Sequence, residues 1–303
     1  MSADNTPKTT KVLFDTDIGS DIDDAVALAY LLAQPRCQLL GITTVSGQPV
    51  ERAKLASAIC RTAGREITIV PGTEERLDGP TRQPNVPQVS VLPIWPHETA
   101  FSEQGAVDFM AETVRANPNE VVLLAVGPMT NVARLFTAHP DVPGLLKSLH
   151  LMSGRFTDSQ VEAPSAEWNV HCDPAAAAVV YSPEVHSVVT RHTSIGLDVT
   201  HQVVMNSEEV ERHFQHPLLS PVLEMSRVWF DEREQLRFHD PLAAVTLFDE
   251  SICGFEQGTA RIRRAEGRDD GAIDWSPDAN GPHRAAMTVD AARFFDSYFG
   301  VFA

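Results

Sequence analysis

Along this chain, segments with the apolar pattern of a strand alternate with segments that have the pattern of a helix. The apolar run at residues 11–14 leads into a polar turn, and residues 25–32 then have helix-forming composition. Alternating strands and helices are typical of a mainly parallel sheet that is covered by helices. The pattern predicts further strands at 38–45, 67–70, 121–126 and 149–152, and helices at 51–62, 102–116, 130–138, 173–181 and 242–248.

Three stretches interrupt this rhythm. Residues 72–102 form a long connection with five prolines, and loops of this length are usually functional or disordered. Residues 217–238 are irregular but are expected to contain a helix that bears Trp229 and Phe230. Residues 254–280 are expected to form a peripheral strand followed by a charged loop.

Length and composition fit a globular α/β protein. A chain of 303 residues is compatible with one large domain or two small ones. We expect a disordered N-terminal tail at residues 1–10 and, at 11–303, a single α/β domain with an open, twisted, mainly parallel sheet flanked by helices. The sequence shows no internal repeat that would indicate a solenoid.

Charge and hydrophobic content narrow the classes of partner. The formal net charge of −17 argues against binding nucleic acid through its phosphates, but it does not exclude a nucleoside. No apolar run approaches the roughly 18 residues of a membrane helix, and the N-terminus lacks the apolar core of a secretory signal. The four cysteines contain no CxxC pair. We therefore expect a reduced, cytoplasmic protein with no membrane partner.

Five aspartates crowd into ten residues after the first predicted strand. Carboxylates this close repel one another, whereas a hard divalent cation with oxygen ligands turns them into a binding site. The alternative is that they only cap a helix and form a turn. The crowding favours a metal site at the end of a buried strand, formed from Asp15, Asp17, Asp21, Asp23 and Asp24.

Four separated motifs together resemble the calcium-dependent nucleoside hydrolases of the inosine-uridine preferring type. They are Asp-Thr-Asp-Ile-Gly at 15–19 with Asp-Asp-Ala at 23–25, Leu-Ala-Val-Gly-Pro-Met-Thr-Asn-Val-Ala at 124–133, Glu-Trp-Asn at 167–169 and His-Asp-Pro at 239–241. They occur in the order of that family and span residues 11 to 248. The resemblance implies hydrolysis of a ribonucleoside, or a close N-riboside, to base and ribose.

The resemblance also implies a cofactor and roles for individual residues. A Ca²⁺ ion would be held by Asp17, Asp24, the carbonyl of Val126 and Asp240. A water molecule on this ion would be the nucleophile, with Asp17 as its general base. Such water loses its proton more easily than bulk water, which suits a carboxylate base.

Further positions match those that handle the sugar and the leaving base. Asp23, Glu167 and Asn169 would hydrogen-bond the ribose hydroxyls, and Met152 would lie beside the sugar. His239 would protonate or orient the departing base. The expected partner is a small nucleoside, and the resemblance implies a homodimer or homotetramer.

Several positions depart from the family pattern. The first motif is two residues longer than usual, so Asp21 and Asp23 compete for one role, and we prefer Asp23 because it adjoins Asp24 at the helix start. Gln48 follows the second strand where many members carry Asn, and it stands as a candidate for ribose contact. An expected asparagine is replaced by residues 160–162, and His97 is a candidate substitute for a missing His-Gly segment.

Base selectivity is expected in the two irregular regions. Large aromatic side chains there are candidates for stacking on a base. These are Trp95, Trp229, Phe230 and Phe238.

Two other functions remain open at this stage. Asp15-Thr16-Asp17 resembles the Asp-x-Asp turn of certain phosphatases, but those also need a positioned lysine, and the chain has only four. A hydrolase-like protein that binds a riboside without cleaving it would carry the same motifs. Assays for phosphatase activity and for riboside turnover distinguish these alternatives.

Overall fold

The computed structural model describes residues 9–158 and 165–303. Residues 1–8 of the predicted tail, and residues 160–162 at the departure from the family pattern, lie outside this part of the chain. Thr10, the last residue of the predicted tail, already belongs to the first strand. The strands and helices named here belong to these two ranges.

The strands, in chain order, are β1 (Thr10–Thr16), β2 (Cys37–Thr44), β3 (Ile69–Pro71), β4 (Val121–Ala125), β5 (Ser148–Met152), β6 (His192–Ile195), β7 (Val204–Asn206), β8 (Gln235–Arg237), β9 (Cys253–Ile262), β10 (Ile273–Pro277) and β11 (His283–Val289).

The α-helices are α1 (Asp23–Ala33), α2 (Pro49–Thr62), α3 (Ala106–Ala116), α4 (Thr130–Ala138), α5 (Val142–Leu145), α6 (Trp168–Cys172), α7 (Pro174–Val180), α8 (Pro183–His186), α9 (Leu197–Thr200), α10 (Ser207–His213), α11 (Ser220–Phe230), α12 (His239–Thr246) and α13 (Ala291–Phe299). Short 3-10 helices cover Pro87–Ile94, Pro217–Leu219, Glu250–Ile252, Gly267–Asp269 and Gly300–Phe302.

Nine of these strands form one sheet in the order β10-β9-β11-β6-β5-β4-β1-β2-β3. The strands from β3 across to β11 run parallel, and β9 and β10 add an antiparallel edge. Strands β7 and β8 form a separate small sheet. The prediction of a single α/β domain with a mainly parallel sheet flanked by helices is confirmed.

The composition of the central strands follows from their burial on both faces. Strands β4 and β5 are buried along their whole length, as expected where helices cover both sides of a parallel sheet. One face packs on a core that includes α1 and α12, and the other packs on a core that includes α3, α4 and α7. Helix α1 is hydrophobic almost all round, so it is buried between the sheet and its neighbours.

Some predicted boundaries shift in the structure. The predicted helix at 102–116 begins only at Ala106, after Gly105 in extended conformation. The predicted charged loop within 254–280 is wrong in part, because residues 273–277 pair with β9 as the antiparallel strand β10. The predicted helix bearing Trp229 and Phe230 is confirmed as α11. No helix in the described ranges is long and apolar enough to cross a membrane.

The strand order reverses between β1 and β4. The chain runs outward from β1 to β2 and β3, and then returns to place β4 on the other side of β1. Open α/β sheets bind ligands at such a reversal, outside the carboxyl ends of the strands. A ligand site is therefore expected at the residues that follow β1 and β4.

A group of three histidines, two of them buried, lies where β6 pairs with β11. His192 on β6 and His283 on β11 are register partners, and each is only 2% exposed. The rings of His186 and His192 are parallel to within 4°, with Nε2 of His186 at 2.7 Å from Nδ1 of His192. Two nitrogens bound to one zinc at about 2.0–2.1 Å would lie farther apart, so this spacing indicates a hydrogen bond between neutral rings.

We predict that these histidines make the protein sensitive to acid. Burial lowers the pKa of His283 to about 3, so the unfolded chain binds the proton first as the pH falls below the ordinary value near 6.5. The neutral His283 stabilises the folded state above pH 6.5. Its contribution to the free energy of unfolding falls by about 2 kcal/mol between pH 6.5 and pH 5. Urea unfolding at several pH values should show a smaller acid loss in His283→Gln than in wild type.

His213→Gln is the matched control, because His213 is exposed on α10. It should lose as much stability as wild type over the same pH range. An equal loss in His283→Gln would show that His283 does not contribute to the acid sensitivity.

Candidate active site at the carboxyl ends of the central strands

A cavity of about 710 Å³ opens at the reversal point of the sheet. This volume lies within the range of small-molecule sites. Acidic side chains dominate its inner wall, and aromatic and charged side chains lie toward α11. The lining includes Asp17, Ser20, Asp21, Asp23, Asp24, Arg82, Gln83, Val126, Met152, Glu167, Trp168, Asn169, His201, Trp229, His239 and Asp240.

The turn between β1 and α1 brings the first aspartates into this cavity. Gly19 has a φ of +115°, and a Cβ there would lie 2.4 Å from the Val86 side chain, so only glycine fits. The chain then enters α1, whose first turn contains Asp23 and Asp24. Negative charge at a helix N-terminus is stabilised by the helix dipole.

Three buried carboxylates meet at the centre of the site. Oxygen atoms of Asp23, Asp24 and Asp240 lie within 4.8 Å of one another, and we call these residues the acidic cluster. Burial first, and then mutual repulsion with neighbouring aspartates, raises the pKa of each carboxyl well above its usual range. Oδ2 of Asp240 is buried and has no hydrogen-bond partner. This donor set fits a hard divalent cation.

Asp17 lies beside the acidic cluster and contributes to the repulsion within it. Its Oδ2 accepts a hydrogen bond from Nε2 of Gln83 at 2.7 Å. Burial raises the pKa of Asp17, and the positive charge of Arg52 opposes that shift. Asp21 also lines the cavity, where its Oδ1 accepts the backbone N–H of Ile22 at 2.6 Å.

Asp15, by contrast, lies beneath the site and does not line the cavity. Its Oδ1 accepts hydrogen bonds from Thr43 at 2.6 Å and from Asn131 at 2.8 Å. Burial raises its pKa to about 7. Asp15 therefore ties β1 to β2 and α4.

The Glu-Trp-Asn motif forms the start of α6. Glu167 caps this helix by accepting the backbone N–H groups of Asn169 at 2.7 Å and Val170 at 3.2 Å, and burial raises its pKa to about 7. The side-chain amide of Asn169 donates to the carbonyls of Val126 at 2.6 Å and Met152 at 3.2 Å. These contacts join α6 to the ends of β4 and β5.

His239 begins α12, immediately before Asp240. Its Nδ1 lies 2.7 Å from Oγ1 of Thr200. Burial, followed by the nearby ring of His201, lowers the pKa of His239 to about 3. A pKa this low keeps the imidazole neutral at physiological pH, so the ring can form hydrogen bonds but carries no charge.

Several candidates from the sequence are not brought to the cavity. Gln48 is exposed, and its amide donates to the carbonyl of Pro84 at 2.8 Å, so the expected ribose contact is not supported. Nδ1 of His97 lies 2.8 Å from the carbonyl of Trp95, outside the cavity lining. Of the four stacking candidates, only Trp229 lines the cavity, whereas Trp95, Phe230 and Phe238 pack against the core.

Sequence reasoning missed several residues of the site, among them Gln83, Trp168 and Arg52. Gln83 and Trp168 line the cavity, and Trp168 is 53% exposed. Arg52 is completely buried on α2. Arg52 precedes Leu55 by three residues and Ala56 by four, so it lies on the apolar face of α2. This helical spacing is a sequence signal that predicts a buried arginine.

Arg52 holds together the loops beneath the cavity. Its guanidinium donates to the backbone carbonyls of Asp17 and Ile18 and to the hydroxyl of Ser20. It also donates to the carbonyls of Gly47 and Gln83, at 2.8 and 3.3 Å. A buried cation requires compensation, and the charges of Asp17 and Asp24 supply it.

Comparison with known proteins matches nearly the whole chain to one family. A family model described as inosine-uridine preferring nucleoside hydrolase matches residues 12–296. The chain is 28% identical to probable uridine nucleosidase 2 of Oryza sativa subsp. japonica, over 95% of this chain and 91% of that protein. It is 29% identical to a pyrimidine-specific ribonucleoside hydrolase of Salmonella newport, over 76% of each chain.

Solved structures share the fold at lower identity. A plant nucleoside hydrolase superposes with a TM-score of 0.81 at 23% identity, over 97% of this chain and 98% of that one. An inosine-guanosine nucleoside hydrolase gives a TM-score of 0.82 at 19% identity, with the same coverage.

We predict that Arg52→Met lowers the free energy of unfolding by about 3–5 kcal/mol, because it leaves buried carbonyls unpaired and buried carboxylates uncompensated. Arg52→Lys should recover only part of this loss, because lysine lacks the planar fork of donors. Urea denaturation measures both. Arg61→Met on the same helix is the control, since Arg61 is exposed and pairs with Glu98. Equal stability of the Arg52→Met and Arg61→Met variants would contradict this role.

Proposed function

We propose a mechanism on the premise that this chain belongs to the inosine-uridine preferring nucleoside hydrolase family. The chain is accordingly a glycosidase that acts on the N-ribosyl bond of ribonucleosides. We propose further that it depends on Ca²⁺ and that Asp17 is the general base. The observation that carries this proposal is the buried acidic cluster, with its unpartnered Asp240 oxygen, beside Asp17 in one cavity.

The residues present fit a calcium ion. Calcium takes oxygen ligands from carboxylates and backbone carbonyls, and a buried carboxylate oxygen without a partner is costly unless a cation offsets it. When bound, Ca²⁺ would lower the pKa of water and hold vicinal hydroxyls in place. The proposed ligands are Asp17, Asp24, the carbonyl of Val126 and Asp240, and Asp23 completes the acidic cluster around them.

Asp17 is the proposed proton acceptor. Its carboxylate lines the cavity next to the acidic cluster, and Gln83 holds one of its oxygens. A carboxylate in this position takes the proton from the attacking water, a role that typically contributes 10²–10⁴-fold. The backbone of Gly127 packs on the opposite side, where a Cβ would lie 2.8 Å from Oδ1 of Asp17.

The sugar is proposed to lie between the acidic cluster and α6. Asp23, Glu167 and Asn169 would bind the ribose hydroxyls, with Met152 beside the ring. Cleavage of a glycosidic bond develops positive charge on the sugar, as in an oxocarbenium ion. Fixed carboxylates around the ring stabilise that charge more in the transition state than in the ground state.

His239 is proposed to assist the departing base. We assign the Thr200 hydroxyl as the donor to Nδ1, and in this tautomer the neutral ring carries its proton on Nε2 and offers it as a hydrogen-bond donor. The ring lines the same cavity as Trp229, the aromatic side chain proposed to contact the base. A hydrogen bond to the base disperses the charge that it gains as the bond breaks.

Metal removal tests the cofactor. Protein treated with EGTA should melt at a lower temperature, and Ca²⁺ should restore the wild-type value, because a ligand present at 100 times its Kd stabilises the folded state by about 2.7 kcal/mol. Asp240→Asn should lose most of this calcium-dependent shift. Asp296→Asn, at an exposed position on α13, should keep it. A Tm that does not change with verified calcium removal would contradict the proposed site.

A panel of ribosides tests the reaction. Wild-type protein should release reducing sugar from at least one of uridine, inosine, cytidine and guanosine. Its specificity constant should drop for the 2′-deoxy form, because polar groups in the site would be left unpaired. Asp17→Asn should lower kcat by about 10² or more.

Two other outcomes would replace this function. Riboside binding without turnover would identify a binding protein, and hydrolysis of p-nitrophenyl phosphate that depends on Asp17 would identify a phosphatase. Equal specificity constants for uridine and 2′-deoxyuridine would contradict the proposed sugar contacts.

A further inference from the structure

The long connection between β3 and α3 delivers one buried side chain to the catalytic carboxylate. Gln83 is 7% exposed and lies between Arg82 and Pro84 in that connection. Its Nε2 donates to Oδ2 of Asp17 at 2.7 Å and to Oγ of Ser20 at 2.9 Å. Its Oε1 accepts the indole N–H of Trp168. One amide therefore connects the floor of the cavity to its exposed edge.

The orientation of this amide is fixed by its partners. An indole nitrogen can only donate, so the atom that faces Trp168 must be the amide oxygen. The amide nitrogen then faces Asp17, whose ionised carboxylate can only accept. A flipped amide would place donor against donor and acceptor against acceptor.

The backbone of Gln83 is held as well. Its N–H donates to Oγ1 of Thr81 at 3.2 Å, and its carbonyl accepts from the guanidinium of Arg52 at 3.3 Å. Both ends of the residue are therefore fixed before substrate binds. Groups fixed in this way hold a catalytic side chain at the productive geometry with little loss of entropy during the reaction.

We propose that Gln83 is a positioning residue that orients the carboxylate of Asp17 and couples it to Trp168 at the cavity edge. This inference rests on the proposed role of Asp17 as general base. The hydrogen bond from Gln83 holds Oδ2 of the carboxylate, and Oδ1 lies near Gly127, where a Cβ would come within 2.8 Å of it. Trp168 restrains the same amide, so loss of its N–H loosens Asp17 through Gln83.

Substitutions at Gln83 test the positioning role. Gln83→Met keeps the approximate shape of the side chain and removes its hydrogen bonds to Asp17, Ser20 and Trp168, and it should lower kcat about 10-fold or more with a smaller change in KM. Gln83→Glu keeps the acceptor for Trp168 but sets a carboxylate against Asp17, so its kcat should fall below that of Gln83→Met. The control is Gln34→Met, which removes a buried amide bond to Tyr30 on the far end of α1 and should keep wild-type kcat.

A double-mutant cycle tests the coupling to the cavity edge. Trp168→Phe removes the indole N–H together with part of an exposed ring, and it should lower kcat by about 3-fold. The double variant Gln83→Met with Trp168→Phe should be no slower than Gln83→Met alone. Retention of the calcium-dependent Tm shift in each variant shows an intact fold and metal site. If Gln83→Met does not fold, the positioning role is tested by the kcat of Gln83→Glu relative to wild type, which should be lower.

The outcomes separate this inference from the proposed function. A kcat of Gln83→Met within about 2-fold of wild type, or effects of the two substitutions that multiply, overturns the positioning role and leaves the hydrolase mechanism intact. A wild-type protein that turns over no riboside overturns both.

Discussion

Repulsion among buried carboxylates is the constraint around which this site is organised. Asp23, Asp24 and Asp240 share one small volume, and Asp17 lies close enough to add to their repulsion. Burial makes each negative charge more costly, because little water remains to screen it. The cavity is therefore a stable arrangement only with positive charge or protons nearby, which explains why a divalent cation suits it and how a buried oxygen of Asp240 can lack a hydrogen-bond partner.

The protein supplies part of the compensation itself. Arg52 places a buried guanidinium under the site, but it donates to backbone carbonyls and not directly to the carboxylates. Its charge thus stabilises Asp17 and Asp24 at longer range, while its fork of donors fixes the loops that carry them. Gln83 completes this arrangement, because its amide donates to Asp17 without adding charge. Arg52 thus holds the backbone that carries Asp17, and Gln83 holds its carboxylate.

The sheet explains why these residues meet. Asp17 follows β1 and Val126 follows β4, which are neighbours at the point where the strand order reverses. Met152 ends β5, the next strand, and α12 brings His239 and Asp240 from much later in the chain. Only the fixed spacing of parallel strands brings side chains from such separate segments into one cavity. The topology of the sheet is thus the reason that the residues of the proposed site meet in one cavity.

Local pattern alone determined the alternating α/β order, the buried central strands and the acidic turn after β1, because burial on both sheet faces and crowding of carboxylates leave direct marks in the sequence. The motif resemblance brought in Glu167, Asn169 and Asp240. Only the tertiary structure determined the surroundings of side chains whose partners are distant in sequence. Gln48 donates to Pro84, Phe238 packs against Phe294, and Gln83 reaches Asp17 from a proline-rich loop. No local signal marks these positions, because the partner that gives each its role lies on a segment that only the folded chain brings near.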